Sequence, residues 1–239
     1  MADRPPTLEP VSVPSAADLV ARQLRRGIEL GRFLPGDRLP AERELAVQLG
    51  VSRVTLRAAL SELEAGGLLE RAPRGSGGGA LVVAARGAAS EADADQQARR
   101  ARLEEICELR LACEGAAAEL AARRRDAEQL ARIERAIAAL DGELGAGQFR
   151  AADNEFHLAI AVAAGNARLR DAVEDARAAM FGPLDSIRFE VVLPSTMEQH
   201  RRIADVIAAG DGEAARASMV EHIREAQQEL LVAVALGEE

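Results

Sequence analysis

Three histidines and one aspartate are the residues of this sequence best suited to holding a metal ion. Asp153 and His157 lie four residues apart, so on a helix they share one face. His200 and His222 fall in the two last predicted helices, which a short turn brings antiparallel. Three imidazoles and a carboxylate inside a helical bundle could bind a divalent cation and leave positions open for a ligand. The alternative is three unrelated surface or core histidines.

A second chemical feature is a pair of arginines near the start of a predicted helix. Arg53 and Arg57 lie four residues apart, beside Val54 and Thr55. When the N-terminal end of a helix enters the major groove, two such arginines can bond guanine or hold phosphates. The competing interpretation is a small helical hairpin with solvated arginines.

The elements that must position these arginines have the pattern of a winged helix-turn-helix. A short helix is predicted over 41–49, followed by a glycine-containing turn. Ser52 caps a second helix, predicted to end near residue 65, with apolar residues at helical spacing on one face. Residues 68–71 and 81–83 are predicted as the two strands of a small wing.

The segment PGDRLPAERELAVQLGVSRVTLRAALSELEAGGLLER, residues 35–71, resembles the DNA-binding domain of GntR-family bacterial transcription regulators. The wing departs from the family pattern, because residues 75–79 replace the usual short Gly-Thr-aromatic turn. The resemblance implies that DNA is contacted from the first helix, the second helix and the wing tip, through Arg43, Arg53, Thr55, Arg57, Arg74 and Gly75.

Length and charge are compatible with two modules of different character. A chain of 239 residues allows one large or two modest domains. The formal net charge is −9, but residues 1–84 hold 11 arginines against 10 acidic residues, whereas residues 85–239 hold 19 against 29. This asymmetry favours a nucleic-acid-binding module joined to an acidic one. No apolar run approaches the length of a membrane span and no signal peptide is visible, so we expect a soluble, cytoplasmic bacterial protein.

The predicted fold is mainly α-helical and has two domains. We assign residues 1–14 to a disordered tail, 15–84 to the winged helix-turn-helix, 85–97 to a linker and 98–236 to an antiparallel helical bundle. Helical periods and breakers predict the following bundle helices: 98–125, 126–144, 149–164, 167–181, 195–209 and 211–236.

The C-terminal half resembles the FCD effector-binding domain of the FadR subfamily. The similarity lies in the segment Asp153-Asn-Glu-Phe-His157 and in the pairs 165–166, 199–200, 210–211 and 221–222. The resemblance implies a divalent metal, commonly zinc, nickel or manganese, on Asp153, His157, His200 and His222. It further implies that Arg110 holds the carboxylate of an effector, whereas the alternative for Arg110 is a simple ion pair with Glu114. The acyl-CoA-binding branch lacks the full metal set, which argues against acyl-CoA as the effector.

These observations predict a transcription regulator that binds double-stranded operator DNA as a homodimer and responds to a small carboxylate metabolite. The metal, zinc by preference, would anchor that acid together with Arg110. A competing hypothesis is a metal-dependent hydrolase, in which the Asp/His site activates water. Glu155 lies two residues from both Asp153 and His157, so on a helix it faces away from them and is a poor general base. We therefore predict that the protein is not an enzyme.

Overall fold

The computed structural model describes residues 13–71, 80–83, 92–142, 144–180 and 193–236. Over these ranges most residues are helical, and one pair of short strands is present. In chain order the elements are α1 (Ala16–Glu29), α2 (Glu42–Gln48), α3 (Arg53–Ala65), β1 (Leu69–Arg71), β2 (Ala80–Val82), α4 (Ala92–Arg124), α5 (Ala127–Ala138), α6 (Ala146–Ala163), α7 (Ala167–Ala179), α8 (Leu193–Ala209) and α9 (Gly212–Leu236).

The N-terminal unit is a winged helix-turn-helix, as predicted. The Ser52 hydroxyl caps α3 by accepting a hydrogen bond from the Thr55 backbone N–H. The apolar faces of α1, α2 and α3 meet in one core, which contains the fully buried Leu56 and Leu63. β1 and β2 pair antiparallel, with Leu69 opposite Val82, and their buried side chains join the same core.

The C-terminal unit is a helical bundle arranged around α4. This long helix packs against α6, α7, α8 and α9, and its most extensive partner is α9. Its last two turns carry the buried alanines Ala117, Ala118, Ala121 and Ala122, whose small side chains allow neighbouring helices to approach closely. None of the helices in the described ranges is both long and apolar enough to cross a membrane.

Three helix boundaries differ from the sequence prediction by three residues or more. α4 begins at Ala92, within the stretch assigned to the linker, and α5 ends at Ala138 rather than near residue 144. α6 begins at Ala146, so Gly147 lies in its first turn instead of separating two helices. A Cβ at Gly147 would lie 3.3 Å from Leu34 Cδ2, so the glycine serves close packing against the N-terminal unit. The division into domains at 84 and 98 stays a prediction.

The two units contact each other through α1 and the residues after it on one side, and α6 and α7 on the other. Gly31 has a positive φ of 74°, and a Cβ there would lie 3.0 Å from the Ala151 backbone. Arg32 pairs with Glu174 at 2.9 Å, and Arg26 pairs with Asp175. Packing therefore joins the N-terminal unit to α6, which carries Asp153 and His157, and ion pairs join it to α7.

Candidate metal centre and nucleic-acid interface

The structure brings the three histidines together in the interior of the bundle. His157 comes from α6, His200 from α8 and His222 from α9, and all three are buried. One nitrogen from each ring can be chosen so that the three lie within 4.8 Å of one another. The Nε2 atoms of His200 and His222 are 3.3 Å apart. Three separate helices thus contribute imidazoles to one small volume.

Asp153 supplies a carboxylate oxygen to the same volume. Its Oδ1 lies 3.7 Å from His157 Nε2 and 3.5 Å from His200 Nε2. Its other oxygen accepts a hydrogen bond from Arg177 on α7, whose Nε–H also donates to Asn154 Oδ1 at 2.7 Å. Arg177 therefore fixes the carboxylate so that its second oxygen faces the imidazoles.

The charge states around the cluster suit cation binding. Burial alone would raise the pKa of Asp153, but Arg177 together with the neighbouring His157 and His200 outweighs burial and holds that pKa well below its usual value. Burial lowers the pKa of His200 well below its usual value, with His222 adding to the effect. Burial, and then His157, lowers the pKa of His222 to about 3. The site thus offers an ionised carboxylate and at least two neutral imidazoles, the forms that bind metals.

The geometry of these donors fits a metal ion of ordinary coordination chemistry. Ligand atoms about 2.1 Å from a tetrahedral zinc ion are roughly 3.4 Å from one another. The measured separations of 3.3, 3.5 and 3.7 Å cluster around that value. In addition, His157 Nε2 is buried and has no hydrogen-bond partner within the described parts of the chain. A cation in the centre of the cluster would give such a buried nitrogen a partner.

Arg110 lies beside this cluster but is already engaged in an ion pair. Its Nε is 2.6 Å from Glu114 Oε1, and the two side chains are 2% and 1% exposed. The ion pair that the sequence offered as the alternative for Arg110 is therefore present. The other oxygen of Glu114 lies 2.5 Å from His157 Nδ1.

Glu155, the candidate general base for a hydrolase, pairs with an arginine outside the histidine cluster. Glu155 Oε1 accepts a hydrogen bond of 2.7 Å from Arg132 Nε on α5. Its side chain is 45% exposed, in contrast to the buried histidines. As its position on the helix predicted, Glu155 is not placed as a general base for the cluster.

The predicted DNA-contacting residues of α3 lie on the surface. The side chains of Arg53 and Arg57 are 61% and 58% exposed and share one carboxylate, that of Glu42 on α2. Arg57 Nε donates to Glu42 at 2.8 Å, whereas the closest nitrogen of Arg53 is 4.0 Å away. Two cations beside a single anion leave a positive surface at the start of α3, which suits phosphates or guanine edges.

The other predicted DNA contacts divide into two groups. Arg43 is exposed on α2, and Thr55 is partly buried with its hydroxyl 2.8 Å from the Ser52 hydroxyl. Arg74 and Gly75, predicted at the wing tip, lie outside the residues that the structure describes. Val54, on the first turn of α3, is 79% exposed. Such an apolar side chain between two arginines could contact a thymine methyl group.

Sequence reasoning missed the residues that surround the metal ligands. Arg177 and Gln199 received no role, and Glu114 entered only as a partner for Arg110. Gln199 Oε1 lies 2.6 Å from His222 Nδ1. The one usable signal was position: Gln199 adjoins His200, and Glu114 lies on the helix expected to bind the effector. Arg177 gave no signal, since its approach to Asp153 depends on how α7 packs against α6.

Comparison with known proteins identifies the family. Residues 16–78 match the family described as bacterial regulatory proteins, gntR family, and residues 105–225 match the FCD domain. The chain is a member of the GntR family of bacterial regulators and carries an FCD domain. It is therefore a DNA-binding transcription regulator, not an enzyme.

Individual relatives agree with this assignment. The chain is 30% identical over 207 residues to the HTH-type transcriptional regulator LutR of Bacillus subtilis, spanning 82% of this chain and 92% of LutR. It is 34% identical over 226 residues to an Escherichia coli protein named for regulation of the L-lactate dehydrogenase operon, spanning 87% and 83% of the two chains. The structure of E. coli McbR/YncC shares the fold, with a TM-score of 0.55, 22% identity, and 91% and 98% coverage.

Proposed function

We propose that this regulator binds operator DNA as a homodimer and senses a small organic acid at a divalent metal held by Asp153, His157, His200 and His222. The observation that carries the proposal is the convergence of three buried imidazoles and one carboxylate oxygen. When bound, the metal would act as a Lewis acid that anchors an oxygen of the effector. Imidazole and carboxylate ligands suit zinc, and they also suit nickel or manganese.

The charge balance of the interior supports an anionic effector. The positive charges of Arg110 and Arg177 are matched by the negative charges of Glu114 and Asp153. With neutral imidazoles, a divalent cation would leave the buried site with two uncompensated positive charges. A carboxylate ligand reduces this excess, which an interior of low polarity otherwise disfavours.

Short 2-hydroxy acids are the first effectors to test. Their carboxylate and hydroxyl oxygens can chelate one metal ion together, which a simple carboxylic acid of the same length does less well. The E. coli relative named for the L-lactate dehydrogenase operon points to the same class. Arg110 remains our proposed second contact for the carboxylate, although its Nε–H is already used by Glu114.

The small DNA-binding surface of one chain supports the proposed homodimer. One winged helix presents few base-reading side chains, here Arg53 and Arg57 with Thr55 and Val54 beside them. Two copies on a pseudo-palindromic operator double these contacts and raise the specificity. Arg43, Arg74 and Gly75 are proposed to add phosphate and minor-groove contacts.

The effector response is proposed to pass from the cluster to the N-terminal unit through α7. Arg177 on this helix holds the ligand Asp153, and one helical turn earlier Glu174 pairs with Arg32. A ligand that binds two arrangements of α7 unequally would shift the N-terminal units and the spacing of the two α3 helices.

Native mass spectrometry and DNA titration of the full chain test this function. We expect a dimer with one metal ion per chain, and an operator affinity that changes at least several-fold with L-lactate or glycolate. The DNA probe is a duplex selected from a random library by the protein itself. His200→Ala and His222→Ala should each lose metal and acid response while keeping operator affinity. A metal-free wild-type protein, or histidine variants that retain one metal per chain, would contradict the proposal.

A further inference from the structure

Glu114 is a buried acid that lies between a buried arginine and a proposed metal ligand. Its side chain is 1% exposed. Oε1 lies 2.6 Å from Arg110 Nε, and Oε2 lies 2.5 Å from His157 Nδ1. An ionised carboxylate in a protein interior is costly unless partners satisfy both oxygens. Here each oxygen has its own partner, one a cation and the other an imidazole.

The contact with Glu114 determines which nitrogen of His157 can bind a metal. Glu114 Oε2 lies 2.5 Å from Nδ1 of His157, and an ionised carboxylate would repel a lone pair on that nitrogen, so the tautomer with the hydrogen on Nδ1 is favoured. The lone pair of the neutral ring is then on Nε2, the atom that faces Asp153 Oδ1 at 3.7 Å. Glu114 thus selects both the tautomer and the orientation that direct Nε2 into the cluster.

Gln199 has the equivalent position at His222. Its Oε1 lies 2.6 Å from His222 Nδ1, and its amide nitrogen donates to Glu225. The bond to Glu225 fixes the amide orientation, because only the amide nitrogen can donate to a carboxylate. His222 Nδ1 is then the donor to Gln199, and the lone pair is again on Nε2.

We propose that Glu114 is a positioning residue for the metal centre, which holds His157 through Nδ1 with Arg110 as its counter-ion, and that Gln199 does the same for His222 as a neutral partner. The inference rests on the proposed metal site and adds to it the groups that prearrange two of its ligands. A carboxylate on the far nitrogen also increases the basicity of the imidazole that binds the cation. Arg110 then acts on the metal site through Glu114, whether or not it also touches an effector.

Metal affinity of the full-length protein, measured by competition with a chromophoric chelator, tests this role. The probes are Zn²⁺ and Co²⁺, since the visible absorption of bound Co²⁺ also reports the ligand geometry. We expect Glu114→Gln to weaken binding of both ions by about 10–100-fold and to alter the Co²⁺ spectrum. Gln199→Leu should weaken binding less, because the lost partner is uncharged. Circular dichroism of the metal-free variants checks that the helices are intact.

Glu155→Gln is the matched control, since Glu155 lies on the same helix as His157 but pairs outward with Arg132. It should leave metal affinity unchanged. If Glu114→Gln fails to fold because Arg110 loses its counter-ion, Arg110→Met/Glu114→Gln removes the unpaired charge and takes its place. A folded variant with metal affinity within twofold of wild type would overturn the positioning role alone. Wild-type protein that binds neither ion would overturn the metal site itself.

Discussion

The arginines at the start of α3 and those beside the histidine cluster have opposite environments. Arg53 and Arg57 are more than half exposed and share the single carboxylate of Glu42. Arg110 and Arg177 are 2% and 5% exposed, and each holds a carboxylate that itself contacts the histidine cluster. The same residue type is therefore solvated at the start of α3 and enclosed beside the histidine cluster.

This difference suggests two roles: the exposed arginines can bind DNA, whereas the buried arginines hold neighbouring carboxylates in place. An exposed guanidinium that shares one carboxylate with a second arginine loses little solvation free energy when DNA phosphates replace its bound water. A buried guanidinium cannot separate from its carboxylate without leaving an unpaired charge in the interior. Its role is therefore to hold neighbouring groups in place. We expect substitutions in the first set to change DNA affinity and substitutions in the second set to change stability and metal binding.

The largest effect is expected at Arg177. Arg177→Met leaves Asp153 buried beside the histidines without its cation and removes the hydrogen bond to Asn154. Breaking a buried ion pair from one side costs about 3–5 kcal/mol. Urea denaturation of the metal-free protein measures this loss. Arg202→Met, which breaks an exposed pair with Glu221, is the control and should cost about 1 kcal/mol or less. Equal losses in the two variants would show that burial does not distinguish these arginines.

An intermediate effect is expected at the recognition helix, on affinity and not on stability. Arg53→Ala and Arg57→Ala should each weaken operator binding by about 1–3 kcal/mol if they bond bases bidentately. Their thermal midpoints should stay near that of wild type, because both side chains are exposed. Fluorescence anisotropy with selected and scrambled duplexes measures the affinities. Unchanged operator affinity in both variants would remove α3 from the DNA interface.

Arg43 on α2 is expected to behave differently from the two arginines of α3. If it holds a phosphate, Arg43→Ala should weaken selected and scrambled duplexes alike and reduce the salt dependence by about one unit of slope. Titrations at two salt concentrations separate this behaviour from base recognition. A loss confined to the selected duplex would instead assign Arg43 to base contact.

The sequence predicted best where local signals determine structure. Ser52 with the apolar spacing of Leu56, Leu60 and Leu63 predicted α3, and the structure places all three leucines in the core. Asp153 and His157 share a face because helix geometry requires it. Pairing of the wing strands was also predicted, since Leu69 and Val82 lie within short apolar runs.

Features that depend on packing between distant segments could not be predicted. Gly147 is a helix breaker by type, yet it belongs to the first turn of α6 because Leu34 of the other unit packs against it. Contact between Arg177 and Asp153 requires the packing of α7 on α6, which has no periodic signal.

The smallest expected effect concerns the junction that joins the two regions. Glu174 and Asp175 on α7 pair with Arg32 and Arg26, which are partly exposed. Such pairs contribute little to stability, typically below about 1 kcal/mol. Arg177, which donates a hydrogen bond to Asp153, lies on α7 within one turn of Glu174 and Asp175. A shift of α7 on effector binding would therefore move Arg177 and the two acidic residues together.

Glu174→Gln/Asp175→Asn should therefore separate the regions functionally without unfolding either. We expect metal content and operator affinity without effector to stay near wild type. The change in operator affinity caused by L-lactate or glycolate, whichever acts on wild type, should fall by about 0.5–2 kcal/mol. Glu221→Gln, which removes an exposed pair on the far side of the bundle, is the matched control and should leave the response intact. If the double variant responds as fully as the control, the signal does not cross the Arg26 and Arg32 contacts. The packing of Gly31 against Ala151 and of Leu34 against Gly147 would then remain to carry it.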